Sequence, residues 1–351
     1  MKVKTLPLPG FVSLSNAAKY DYRPNQGDLF SSAEEWRKQH AIKPCGSDKT
    51  KIELLCIDVQ KDFCHPEGSL YVGGRSGTGA IEDNKRLAAF IHRNIGVLSG
   101  VTATMDTHFP FQVFFPGFWR DAAGAPIPAH TVITTDMVRK GAAVPNPSVA
   151  HMVCGGNYPW LKAYVQHYTE RLEKAGKYQL YVWPYHCLLG SDGHALTGLV
   201  HEAMLFHSFV RGAPGSKEIK GGNYLTENYS VLAPEVLDTH DGRPIAQRNV
   251  AFIKTLLAND YVLIAGQAAS HCVKSSIDDL LDEIKAQDPD LARKVYVLQD
   301  CMSAVAVPDG KGGFYADFTP QAEAALKKFA DAGMNLVKST DEIGSWPGIK
   351  L

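Results

Sequence analysis

"YVLIAGQAASHCVKSS", Tyr261 to Ser276, is the stretch whose reading decides how this chain folds. Its first six residues are apolar and rich in strand formers, which reads as a short buried strand ending at Gly266. Beyond a short turn, Val273, Ile277, Leu280 or Leu281 and Ile284 recur at helical spacing, and Ser270 stands where an N-cap would stand. Cys272 then falls in the first helical turn, where free N–H groups and the helix dipole favour a thiolate. A lone cysteine there is weak evidence of chemistry, because free cysteine is among the most often buried residue types.

The same strand-to-helix alternation extends outward in both directions. Upstream lie the strand candidates "KIELLCIDV", "GVTATMDTH", "YQLYVW" and "KEIKG", and downstream "KVYVLQD" and "MNLVKS". Helical patterns fall between them, among them 81–93, "HALTGLVHEAMLFHSFVR", "AQRNVAFIKTLLAND" and "TPQAEAALKKFADAG". Repeated units of this length predict a three-layer α/β/α fold around a mostly parallel sheet of about six strands. Residues 1–50, rich in Pro, Gly, Asn and Ser around the helical "SAEEWRKQH", read as an extension packed on the core. Residues 51–351 read as one domain, with an insertion at about 109–178 that clusters prolines and glycines and carries a helix near "YPWLKAYVQHYTERLEKAG".

Composition bounds the function classes. The chain has 351 residues, 45% hydrophobic and 21% charged, with a formal net charge of -1. That leaves no electrostatic footprint for nucleic acid or an anionic membrane. No apolar run has membrane-spanning length, and Pro7, Pro9 and Gly10 break up the start, so no secretory signal is expected. The seven cysteines are scattered, odd in number and without a CxxC pair, which argues against disulfides and zinc fingers and predicts a reducing cytoplasm. "GGRSGTG" lacks the GK[ST] ending of a phosphate loop and reads as a turn.

Ligands of parallel α/β folds bind beyond the carboxyl ends of the strands, and polar residues gather at those positions. Asp58 follows "ELLCI", Asp106 and His108 follow "GVTAT", His186 and Cys187 follow "YQLYVWP", Lys220 follows "KEI", and Cys272 follows "YVLIAG". Each has a bland reading alone, as a turn cap, a buried imidazole or a solvated lysine; five sets at five strand ends are harder to dismiss. Together they suit one chemistry. A thiolate attacks a carbonyl, a carboxylate carries the thiol proton to a leaving amine, and an ammonium holds both anions. His271 is adjacent to Cys272 and points elsewhere on a helix, so it is a poor base. Asp106 and His108, two apart in an extended backbone, share one side; with His186 they make a two-histidine, one-carboxylate set suited to Zn, Fe or Mn.

These blocks resemble the isochorismatase-like cysteine hydrolases, and within them the nicotinamidase branch. The resemblance rests on "DVQKDF" (58–63), "DTH" (106–108), "WPYHC" (183–187), "KGGNYLTENYS" (220–230) and "GQAASHC" (266–272), in family order. It implies an amidohydrolase working through a cysteine thioester, with Asp58, Lys220 and Cys272 catalytic and the amides of Ala268 and Cys272 as the oxyanion hole. It further implies a cis peptide at Gln267–Ala268, and one divalent metal on Asp106, His108 and His186, zinc before iron or manganese. Phe63, Gln112 and Gln267 are then candidates for contacts to substrate or around the metal. The implied substrate is a small amide, nicotinamide by default, and the implied assembly a homo-oligomer, dimer or tetramer. Two alternatives stay open: a different or larger amide or N-carbamoyl compound, and a catalytically silent binding protein of the same fold. The departures are the long N-terminal extension, the insertion, the unusually long segment holding His194, His201 and His207, and Gln112 where the family carries a further histidine.

Overall fold

The computed structural model describes residues 5–175 and 178–351. The segment that opened the reading lies in the middle of a six-stranded sheet. In chain order the strands are β1 (Ile52–Ile57), β2 (Gly100–Asp106), β3 (Lys217–Lys220), β4 (Tyr261–Gly266), β5 (Val295–Leu298) and β6 (Asn335–Val337). They pair in the order β6-β5-β4-β1-β2-β3, every pair parallel. Parallel neighbours need crossovers, and helices supply them on both faces, giving the three-layer α/β/α architecture.

The two faces separate by the two-residue period of the strands. Leu55, Ile57, Val262 and Ile264 turn to one side, where they meet Phe252, Val273, Ile277, Ile284 and Phe329. These come from helices spanning Val250–Leu257, Cys272–Gln287 and Thr319–Asp331. Leu54, Cys56, Leu263 and Ala265 turn to the other side and meet Leu87, Phe90, Ile91, Leu199 and Val200, from helices Gly79–Arg93 and Gly198–Arg211. Outside the second layer, Leu29 and Ala33 of helix Gln26–Gln39 pack on Phe206 and Val210. On the first face, the 109–178 segment buries Phe114, Phe115, Phe118, Trp119, Tyr164 and Tyr168 in the same cluster as Leu55 and Ile57.

Two local expectations are corrected. Ser270 is not a cap: the helix begins at Cys272 without a side-chain cap, and the Ser270 hydroxyl accepts from Val305 N (3.0 Å) and pairs with His271 Nδ1 (2.9 Å). The hydroxyl is held by the neighbouring loop and is lost to the helix. "YQLYVW" does not join the main sheet. Only Leu180–Tyr181 forms a strand, antiparallel to Val132–Ile133 within the inserted segment, because β2 takes Lys217–Lys220 as its outer partner.

Candidate active site

All five sets of strand-end residues come together at the carboxyl edge of β1, β2, β3 and β4. Register accounts for much of this. Ile57 pairs with Gly266, so Asp58 and the turn to Cys272 leave the sheet side by side; Asp106 pairs with Lys220, so both side chains rise from one point. Gly266 has to be glycine: its φ is +118°, and a Cβ there would lie 2.1 Å from the carbonyl oxygen of Ile57.

Lys220 is the hub. Its buried ammonium lies 2.9 Å from Asp58 Oδ2 and 2.9 Å from Asp106 Oδ1. It also donates to the carbonyl of Asn228 at 2.9 Å and reaches Cys272 Sγ at 3.7 Å. Burial alone would pull this amine's pKa down, but the carboxylates of Asp106 and Asp58 outweigh it and hold the pKa well above the usual lysine range. Asp106 is the mirror case. Burial works against its charge, yet His108 and Lys220 hold it well below the ordinary carboxylate range. Asp58 is pushed up by burial, with Lys220 opposing. Burial also pushes the Cys272 thiol well up, against the pull of Lys220, with the charge of Asp58 adding to the rise. Thiol and carboxyl thus share one cation, each with its proton affinity raised by burial.

The "DVQKDF" block gives three of its polar residues three tasks. Asp58, at φ +46°, points its carboxyl at Lys220; its own N–H donates to Thr104 Oγ1 (3.0 Å), and the Thr104 hydroxyl donates to Asp58 Oδ1. Gln60 fixes Asp106, donating to its carbonyl (2.8 Å) and accepting from its amide (2.7 Å). Asp62 accepts from Cys187 N (2.7 Å) and Ser69 N (3.0 Å), which anchors the turn presenting His186. Thr104 and Gln60 were missed in the sequence. Thr104 had a signal, since it sits two residues before Asp106 on the same side of β2.

Asp106, His108 and His186 form one buried cluster whose ligand atoms lie within 4.8 Å of one another. Their orientation fits a cation. His186 Nδ1 donates to the carbonyl of Pro184 (2.8 Å) and His108 Nδ1 to that of Gly221 (3.3 Å). A carbonyl can only accept, so in a neutral ring at either position Nε2 carries the lone pair. The two Nε2 atoms face Asp106 Oδ2 at 3.6 Å and 2.7 Å. Two lone pairs converging on a carboxylate oxygen are what a divalent ion between them would satisfy, and the carbonyls behind fix the tautomers. Gln112 turns elsewhere. Its amide nitrogen donates to the carbonyls of Gly221 and Asn223 (2.7 Å for the latter), and its oxygen accepts from Phe109 N (3.0 Å). It clamps the loop after Lys220 behind His108.

Phe63, Trp183, Tyr229, Ala268 and Cys272 line a small cavity of about 30 Å³ against the Asp–His–His cluster. The Phe63 ring lies 5.5 Å from that of His186. Gln267 borders the cavity, but its amide is engaged behind it, donating to Asp83 (2.9 Å) and accepting from Ser303 N (3.2 Å). The Gln267–Ala268 peptide is cis. The His271 ring sits in a set of rings, stacked on Tyr178 at 4.9 Å and 12°; burial lowers its pKa to about 3, so it is neutral. Glu227, also missed in the sequence, accepts from the Trp183 indole (3.0 Å), and burial pushes its carboxyl well up.

No family model and no curated protein sequence matches the chain. Among solved structures, the yeast nicotinamidase Pnc1p aligns with 82% of this chain and 99% of its own length, at 18% identity and a TM-score of 0.48. The Acinetobacter baumanii nicotinamidase/pyrazinamidase aligns with 84% of this chain and 99% of its own length, at 17% and 0.46. The Pyrococcus horikoshii pyrazinamidase, determined with zinc, aligns with 82% of this chain and 99% of its own length, at 17% and 0.42. In overall arrangement the chain is similar to nicotinamidases and pyrazinamidases.

Proposed function

We propose that the protein is a cysteine amidohydrolase that cleaves the carbon–nitrogen bond of a carboxamide. The observation that carries this is the Lys220 ammonium, 2.9 Å from Asp58 and 3.7 Å from Cys272 Sγ, which holds carboxyl and thiol around one cation. Cys272 passes its proton to Asp58 as its sulfur bonds the carbonyl carbon. The amides of Ala268 and Cys272 receive the oxyanion. As the C–N bond breaks, Asp58 returns the proton to the leaving amine. Asp58 then takes a proton from water, which attacks the thioester, and the acid leaves as the thiol re-forms. Lys220 stays protonated throughout and stabilises the anions.

Asp106, His108 and His186 would hold one divalent metal, with zinc first in order and iron or manganese next. Such an ion polarises or orders a bound ligand. Nicotinamide, converted to nicotinate and ammonia, is the reference substrate, in a reducing cytoplasm and in a homo-oligomer whose solution mass light scattering would give. Cys272→Ala should abolish ammonia release while leaving the unfolding temperature within a few degrees. Undiminished turnover in that variant removes the nucleophile from the scheme.

A further inference from the structure

The cavity at Cys272 is about 30 Å³, room for a reacting group more than for a whole ligand. A chamber of about 700 Å³ lies beside it, within the range of drug-sized ligand sites. Three side chains, Trp183, Tyr229 and His271, line both spaces and form the wall between them. That wall is built. The Trp183 indole N–H is shared between Glu227 (3.0 Å) and the Tyr229 hydroxyl (3.1 Å), and His271 is stacked on Tyr178.

The outer walls come from two distant parts of the chain. Val132, Tyr178 and Tyr181 stand on one side. On the other are Tyr315 and Ala316, from the hairpin pairing Ala306–Pro308 with Phe314–Asp317, and Phe318 just beyond it. Among the described residues lining the chamber there is no Asp, Glu, Lys or Arg. Val132 and Tyr315 are 40% and 79% exposed, large apolar surfaces left open to solvent at a concave site.

Resting on the amidohydrolase reading, we infer that the substrate is a neutral carboxamide with an extended aromatic body. Its carbonyl reaches Cys272 past Trp183 and Tyr229, and the body lies in the outer chamber. A charged body would lose its hydration there without gaining a counter-ion. A flat uncharged one would gain ring contacts with Tyr178, Tyr181 and Phe318.

The test compares benzamide with two larger probes. In 4-phenoxybenzamide the added ring is on the acyl side, and in N-benzylbenzamide it is on the amine side. Binding is measured by calorimetry on Cys272→Ala, and turnover on the otherwise unaltered protein by release of ammonia or amine. One larger probe should bind at least about tenfold more tightly than benzamide, and which one does so reports the side facing the chamber. Val132→Asp and Ala316→Arg, each adding charge to an outer wall, should erase that ratio in binding and in kcat/KM. Equal affinities for all three probes, or a ratio unchanged in both variants, overturns the inference even if every amide is hydrolysed. Chamber-dependent binding with no turnover of any amide upholds the chamber and overturns the amidohydrolase reading instead.

Discussion

The two walls of the pocket are built on opposite terms. On the sheet side, Asp58, Asp106, His108 and Lys220 rise from strand ends and His186 from a loop, joined by ion pairs and hydrogen bonds at fixed distances. On the outer side, Trp183, Tyr229, Tyr178, His271 and Phe318 meet ring against ring, with centroids 4.8–5.5 Å apart in five of the contacts. Charge pairs in a dry site are all-or-none, because removing one partner strands the other. Ring contacts are graded, because neighbours shift and partly recover the loss. The sheet side should therefore decide whether any reaction occurs, and the outer side which molecule undergoes it.

Lys220→Met is the severest challenge to that division. It strands the carboxylates of Asp58 and Asp106 in a dry site, so kcat/KM should fall about a thousandfold and stability by about 3 kcal/mol. Steady-state turnover and chemical denaturation read the two losses, and a variant that keeps wild-type turnover would dissolve the distinction between the walls. His186→Ala comes next. Metal recovered with the purified protein should fall from near one equivalent to a small fraction, with turnover down about 10- to 100-fold. Affinity for a chamber ligand should hold. Elemental analysis finding equal metal in both proteins would take His186 out of the ligand set.

The smallest effect concerns pH and belongs to the outer wall. His271 has its pKa lowered by burial to about 3, whereas the unfolded chain titrates near 6.5. As pH falls below about 6.5 the unfolded state takes up the proton first, so stability declines until about pH 3. His92 and His207, buried on the opposite face with pKa values lowered to about 3 and about 4, act in the same direction. His271→Phe should flatten the fall in unfolding temperature between pH 7 and pH 4 by several degrees. An unchanged slope would mean that His271 is already charged in the folded protein.

The sheet side was the legible one. Asp58, Asp106 and Lys220 each follow or end a short strand-like run, Cys272 comes one short turn after another, and two-residue alternation aligns Asp106 with His108, so local pattern was enough. Thr104 obeys the same alternation and was available. Gln60 was harder, since its bond to the Asp106 backbone depends on a neighbouring strand more than forty residues away. The outer wall was nearly opaque. "YQLYVW" has the composition of a sheet strand, and nothing local reveals that Lys217–Lys220 occupies the edge and turns Tyr181 toward the chamber. Ser270 failed as a cap for the same reason: Val305, thirty-five residues on, holds its hydroxyl. Glu227 sits within a block that was read, but which way a loop carboxyl turns is set by Trp183, forty-four residues earlier.

The chamber has one side from Val132 and Tyr178–Tyr181 and the other from the hairpin at 306–317, so its outline is not inherited from any single stretch of chain. A chimera that exchanges only the 109–178 segment would carry a new left bank to an old right bank, and the two would have to be redesigned as a pair. Point changes on the hairpin avoid that difficulty. Ala316 and Tyr315 lie far from the sheet's core and can be varied without disturbing the exchange of Trp183 between Glu227 and Tyr229. For reshaping the pocket, a library confined to those few hairpin positions is the economical starting point.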